Sequence, residues 1–248
     1  MTSLLVFPHS HFCEKARWAL DYKGIDFSPQ AIMPGLHLKT IRKIAPRSSV
    51  PVLINDDGSA IQGSSAIIDF LDQHHPQKQL TPHGAENRQA CVDIEAAMDE
   101  QLGVNLRQIL YSTLLDHPAF IRQCFTHTMP WYKKPFYRAI APRLHKQIYK
   151  IYVISAAKVA QAKTEFAVAM DALAEQLKDK RYLLGDSFSR ADLSVAAMLS
   201  LLTQPLEHPF PWGDNPDPAA KAFCDLYRDH PVTEWVNGLY REYRQNPS

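Results

Sequence analysis

In its first 75 residues the chain alternates short apolar runs with amphipathic stretches, and past residue 84 the short runs stop. Residues 4–7 form an apolar run of strand length, followed by a pattern with Phe12, Ala16, Ala19 or Leu20, and Lys23 on one helical face, which Gly24 closes. A second strand is expected over 27–32. Pro34-Gly35 follows, then a short helix over 38–44 that Pro46 ends. Residues 50–54, the turn 55–58 with its Asp57-Gly58, and 59–61 predict strand, turn and strand. Ser64 opens a helix with Ile67, Phe70 and Leu71 on one side, ending before Pro76. The order β-α-β-α-β-β-α describes a small α/β unit of thioredoxin type over residues 1–75.

Residues 76–84 are polar and carry Pro and Gly, the composition of a linker. Long helical patterns then take over, the first over about 85–115. In 165–178, Phe166, Met170, Leu173 and Leu177 recur at helical spacing. Ser189 and Asp192 form a capping box, with Phe188 and Leu193 spaced as a hydrophobic staple. Residues 85–248 therefore read as an all-helical second domain.

Composition excludes several classes of protein. A formal charge of +1 across 248 residues argues against nucleic acid as the global partner. No apolar run reaches the roughly 18 residues of a membrane span, and no secretory signal is legible at Met1-Thr2-Ser3. Cys13, Cys91, Cys124 and Cys224 are scattered, with neither CxxC nor zinc spacing. These features predict a reduced, cytoplasmic protein without a metal site.

Chemistry concentrates at Ser10-His11-Phe12-Cys13. A strand that ends in Ser-x-x-Cys at a helix start gathers a hydroxyl, a thiol and unpaired N–H groups, a setting that favours a thiolate. As plain structure, Ser10 is a preferred N-cap and Cys13 a small buried helix residue. His9 and His11 flank the serine, placed to tune or carry a proton.

Four elements in order resemble the cytosolic glutathione transferases of Ser type: Ser10-x-x-Cys13-x-x-x-Arg17, Val50-Pro51-Val52-Leu53 with Asp57-Gly58, Ser64-Ser65-Ala66-Ile67, and Gly185-Asp186-x-x-Ser189-x-Ala191-Asp192. The resemblance implies a thioredoxin-like domain followed by a helical one, and glutathione as co-substrate. It makes Ser10 the catalytic hydroxyl that stabilises the glutathione thiolate, with Phe12 beside it. It also implies that Val50, before Pro51, pairs its backbone with the cysteinyl unit. Ser64 and Ser65, at a helix start, would receive a carboxylate. The family carries an acidic or amide residue directly before this serine; here Gly63 stands there and Gln62 precedes it, so Gln62 or a partner subunit would supply the contact. His37, Lys39, Arg42 and Lys43 are candidates for the glycyl carboxylate, and as plain structure they form a solvated basic face. Arg17 reads as an ion-pair partner at the domain interface.

Outside that pattern, residues 117–164 contain no Asp or Glu but nine Lys or Arg, leaving 18 basic against 26 acidic residues elsewhere. Trp131, Tyr132, Phe136, Tyr137, Tyr149 and Tyr152 interleave with these cations. The segment suits a packed insertion with solvated lysines, or a wall of the electrophile site. The expected function is transfer of glutathione to a small hydrophobic or aromatic electrophile by a detoxifying homodimer. The alternatives are a glutathione-dependent thiol reductase or isomerase using Cys13 or Ser10, and a non-catalytic binding protein with the same fold.

Overall fold

The computed structural model describes residues 1–244 apart from 36, 152–153 and 214–216. Tyr152 of the basic segment lies outside the described residues.

The first unit runs β1 (Ser3–Val6), α1 (His11–Lys23), β2 (Ser28–Ala31), α2 (His37–Ile41), β3 (Val52–Ile54), β4 (Ala60–Gln62) and α3 (Ser64–His74). Its sheet has the order β2-β1-β3-β4, with β1 parallel to β2 and antiparallel to β3, and β3 antiparallel to β4. This is the mixed sheet of a thioredoxin-like domain. All four residues of β1 are buried, as a central strand requires. β2 reads Ser-Pro-Gln-Ala and is mostly exposed, in keeping with an edge strand that tolerates Pro29. Gly24 ends α1 at φ +69°, taking N–H bonds back to the last turn.

The register gathers three helix and strand starts at one edge. Leu5 faces Val52, and Val52 faces Gln62. The end of β1, the start of β3 and the end of β4 therefore lie side by side. The N-terminus of α1, the Val50–Pro51 bond and the N-terminus of α3 follow directly from them. The Val50–Pro51 bond is cis.

The second unit is helical: α4 (Ala85–Met98), a π-helical stretch (Asp99–Val104), α5 (Asn105–Leu114), α6 (Pro118–Phe125), α7 (Lys134–Ile151), α8 (Ala156–Gln176), α9 (Arg190–Thr203), α10 (Pro218–Asp225) and α11 (Pro231–Tyr243). The single helix expected over 85–115 is thus two α-helices joined by a π-helical stretch. Gly103 lies in it: a Cβ there would lie 2.3 Å from Met198 Sδ, so glycine lets this stretch sit against α9 without displacing that side chain. The capping box of Ser189 and Asp192 starts α9, which is buried over nearly its whole length. Phe166, Met170 and Leu173 lie on the buried face of α8. Among the described residues no helix is long and apolar enough to cross a membrane.

α1 packs between α9 and α3, and its charged residues are sealed in the seam between the units. Lys15 meets Glu95 and Asp99, each at 2.6 Å. Arg190 meets Glu95 at 2.6 Å and also pairs with Asp69. Arg17 bonds Glu14 of its own helix at 3.1 Å, and Glu14 accepts from Arg244 at 2.7 Å. The interface pairing expected of Arg17 therefore runs through Glu14. Burial pushes that carboxyl up, but His208, Arg244 and Arg17 hold it at about 2.

Candidate functional site

β1 ends at Val6, and a tight turn just beyond it returns the Ser10 N–H to the Phe7 carbonyl at 3.0 Å. Arg17 Nη2 pins that turn by donating to the Pro8 carbonyl at 2.9 Å. Ser10 is the N-cap of α1 in extended backbone, its hydroxyl oxygen accepting from the Cys13 N–H at 3.4 Å. The cap uses a lone pair and leaves the hydroxyl proton available to donate.

Ser10 opens on a cavity of about 660 Å³ between the two units. Phe12, His37 and Val50 line it from the first unit; Lys39, Pro51, Gln62, Gly63, Ser64 and Ser65 do not. Among the described residues no hydrogen bond engages the Val50 N–H or C=O. His37 spans the loop before it: Nδ1 accepts from the Gly35 N–H at 3.0 Å, so the proton sits on Nε2, 2.9 Å from the Ser48 carbonyl. Burial lowers the affinity of this imidazole for a second proton. Lys39 is exposed on α2.

Gln62 is occupied by the same loop. Its Oε1 accepts from the Arg47 N–H at 3.0 Å, and its Nε2 donates to the Arg47 and Ser49 carbonyls at 2.6 and 2.7 Å. Gly63 takes φ +102° between β4 and α3, a conformation L side chains rarely adopt. Gly63, not Ser64, is the N-cap of α3; Ser64 is the first helical residue, is buried and makes no cap bond. Ser65 Oγ accepts from Lys15 Nζ at 3.3 Å.

Cys13 is fully buried, and its thiol is pushed above its ordinary value by that burial. His9 stacks on Phe125 with centroids 4.9 Å apart. Burial, then Arg17 and His208, lower its pKa to about 4, so it is neutral at physiological pH. His11 is buried against Phe12, and burial with the Arg107 cation holds it well below its ordinary value.

The other walls come from residues distant in sequence. Arg107 lies over the Phe12 ring, its guanidinium carbon 5.7 Å from the centroid. Tyr111, Phe125, Phe210 and Trp212 supply aromatic surface. These were missed because loop 204–213 has no periodicity and α6 no catalytic motif. The one available signal was the basic, aromatic stretch 117–164, whose α6 and α7 contribute Phe120, Ile121, Leu144 and Ile148 to the cavity. Within that stretch Tyr137 is buried, whereas Trp131, Tyr132 and Phe136 are exposed.

Known proteins share this plan. The family model described as the glutathione S-transferase N-terminal domain matches residues 4–79, and that of the C-terminal domain matches 156–225. No curated protein matches the chain. A glutathione S-transferase of Ceriporiopsis subvermispora, solved in complex with glutathione, superposes with a TM-score of 0.68 at 17% identity, covering 100% of this chain and 99% of its own. One from Methylobacillus flagellatus with GSH bound gives 0.64 at 18%, covering 100% and 99%. The beta-etherase LigF of Sphingobium gives 0.62 at 19%, covering 95% and 98%. At these identities the structures speak for the fold. The two family models together take in more than half of the 248 residues, and the chain belongs to the glutathione S-transferase family.

Proposed function

We propose that the protein is a glutathione transferase in which the Ser10 hydroxyl donates to the glutathione sulfur and stabilises its thiolate, which attacks an electrophile held in the cavity. The observation that carries this reading is the place of Ser10, at the N-terminus of α1 and in the wall of a cavity floored by one unit and roofed by the other. A donated hydrogen bond and the helix N-terminal dipole both favour thiolate over thiol. Related sites bring a thiol from about 8.5 into the range of roughly 3.5–7.5. The glutathione structures of the Ceriporiopsis and Methylobacillus relatives support the choice of ligand.

In this reading residues 1–75 bind glutathione, 76–84 link, and 85–248 hold the electrophile. Val50 pairs with the cysteinyl backbone beside Pro51. The N-terminus of α3 at Ser64 and Ser65 receives the γ-glutamyl carboxylate. Lys39 and His37 stand at the glycyl end, with Phe12 against the thiol. Gln62 supports the loop that presents Val50, and Gly63 supplies the turn into α3. The buried Cys13 thiol favours conjugation over dithiol exchange, which needs an accessible attacking thiolate. The reading extends to a cytoplasmic homodimer with a detoxifying role.

The test is Ser10→Ala. Turnover with a general electrophile falls about 10²-fold at pH 7, and the ionisation of bound glutathione, followed by thiolate absorbance, shifts up toward its free value. Glutathione affinity by calorimetry changes little. Wild-type turnover in Ser10→Ala refutes the assignment.

A further inference from the structure

The established family membership and the role given to Ser10 leave the second substrate undefined, and His9 bears on it. Its imidazole is fixed on three sides: stacked on Phe125 at 4.9 Å and 14°, parallel to Phe7 at 6.3 Å, and edge-on to Phe210 at 6.0 Å. Such packing holds a ring in one rotamer. The turn that carries it is pinned by Arg17 on the neighbouring Pro8 carbonyl.

The two ring nitrogens face different surroundings. Nδ1 is sealed from solvent and has no hydrogen-bond partner among the described residues. A sealed nitrogen with no acceptor in reach is better left as a bare lone pair than as an orphaned N–H. The proton therefore sits on Nε2, on a half-buried residue that lines the cavity. The charged and titratable groups acting on the ring are Arg17 of the helix that follows it, His208 of the loop before Phe210, and His11; none is an anion. His9 is thus a fixed, neutral donor beside Ser10, surrounded by aromatic rings.

We propose that His9 is a catalytic residue for the electrophile: its Nε2–H binds the carbonyl oxygen of an aryl-bearing α,β-unsaturated carbonyl compound, whose β-carbon the glutathione thiolate attacks. This rests on the transferase reading above. In the step, the sulfur lone pair forms the S–C bond at the β-carbon, and the C=C π pair moves to make an enolate with its charge on the oxygen. The Nε2–H of His9 stabilises that oxyanion as it forms, and no group leaves. The α-carbon then takes a proton from water to give the saturated conjugate. A preorganised neutral donor in an apolar cavity suits this task, because its hydrogen bond strengthens as the charge develops. Phe7, Phe125 and Phe210 offer faces and edges for the aryl group.

The test compares two electrophiles, 4-phenylbut-3-en-2-one and a benzyl halide that carries no acceptor oxygen. His9→Phe keeps a ring in the stack and removes the donor, so kcat/KM for the enone falls by about 10²–10³-fold, mostly in kcat. Turnover of the benzyl halide stays within about threefold, which also reports that the variant is folded. His9→Gln places an amide N–H near the position of Nε2 and recovers at least about tenfold over His9→Phe for the enone alone. Equal losses on both electrophiles, no loss on the enone, or a wild type that turns over the halide but not the enone each overturn the proposal. A wild type active on neither refutes the transferase reading and this proposal with it.

Discussion

The seam between the two units and the cavity beside it are built from the same helix, α1, on opposite principles. In the seam every buried charge faces an opposite one: Lys15 meets Glu95 and Asp99, Arg190 meets Glu95, and Arg244 meets Glu14 and Asp21. In the cavity Nδ1 of His9, Nε2 of His11 and Nε1 of Trp212 have no partner among the described residues, whereas Arg190 Nε and Arg244 Nη2, left over in the seam, belong to guanidinium groups already paired with carboxylates. Paired charges in a low dielectric permit few alternative arrangements, so the seam sets how α1 sits against α9. Unpaired dipoles cost stability, and they are retained where a ligand can use them. The positioning of Ser10 and its chemistry are thereby divided between two faces of one helix.

The largest expected effect breaks the seam. Glu14→Gln removes the anion that Arg17 and Arg244 share while both guanidinium groups stay buried. Stability falls by about 3–5 kcal/mol, the usual result of stripping one partner from a buried pair. Urea unfolding checks it. Arg244 retains Asp21 at 2.7 Å, which limits the loss. A loss below about 1 kcal/mol would show that the seam does not hold the units together and that apolar packing alone aligns them.

Acid separates the two regions by a smaller amount. His9, on the cavity, and His208, against Glu14 in the seam, both have pKa values lowered to about 4, burial being the main cause. Each is neutral in the fold, while its unfolded counterpart takes up a proton below about 6.5. The unfolded state then binds more protons, so this stability is complete above pH 6.5 and drains away as pH falls toward 4, by about 3 kcal/mol for each residue. Glu14, held at about 2, adds a second loss between about 4.5 and 2. Urea midpoints at pH 7.5, 5.5 and 4.5 should fall in order. In His9→Phe the drop between pH 6.5 and 4 shrinks by about 3 kcal/mol, isolating the cavity's share; an unchanged drop assigns it all to the seam.

Much of this arrangement was legible in the sequence, for reasons that also explain where legibility ends. Strands β1 and β3, the Gly24 stop and the Ser189 capping box are local devices, and each is written in a few consecutive residues. Ser10 was legible because an N-cap and a candidate thiolate stabiliser use the same residue type at the same place. The π-helical stretch left no mark, since periodicity continues through it and Gly103 matters only where Met198 approaches. Phe210 and Trp212 reach the cavity from a loop, and nothing in a loop's composition says which helix it faces. Ser64 was legible as the start of α3, whereas the cap position falls to Gly63, which has no side-chain oxygen to signal with.

Gly63 gives the smallest and most local prediction, and it separates backbone shape from side-chain chemistry at the edge of the cavity. At φ +102° a β-carbon is strained whatever space surrounds it, and the space is open: the nearest atom would be Arg47 Nη2 at 3.7 Å. Gly63→Ala should therefore cost about 1–2 kcal/mol from backbone strain and nothing from collision. The loop of 47–49 should stay in place, because Gln62 ties it down through three hydrogen bonds that do not involve residue 63. Urea unfolding measures the first claim and glutathione calorimetry the second, with affinity expected to change little. A large loss of affinity at full stability would mean that residue 63 touches the ligand, and the boundary between the supporting loop and the binding edge would move one residue toward α3.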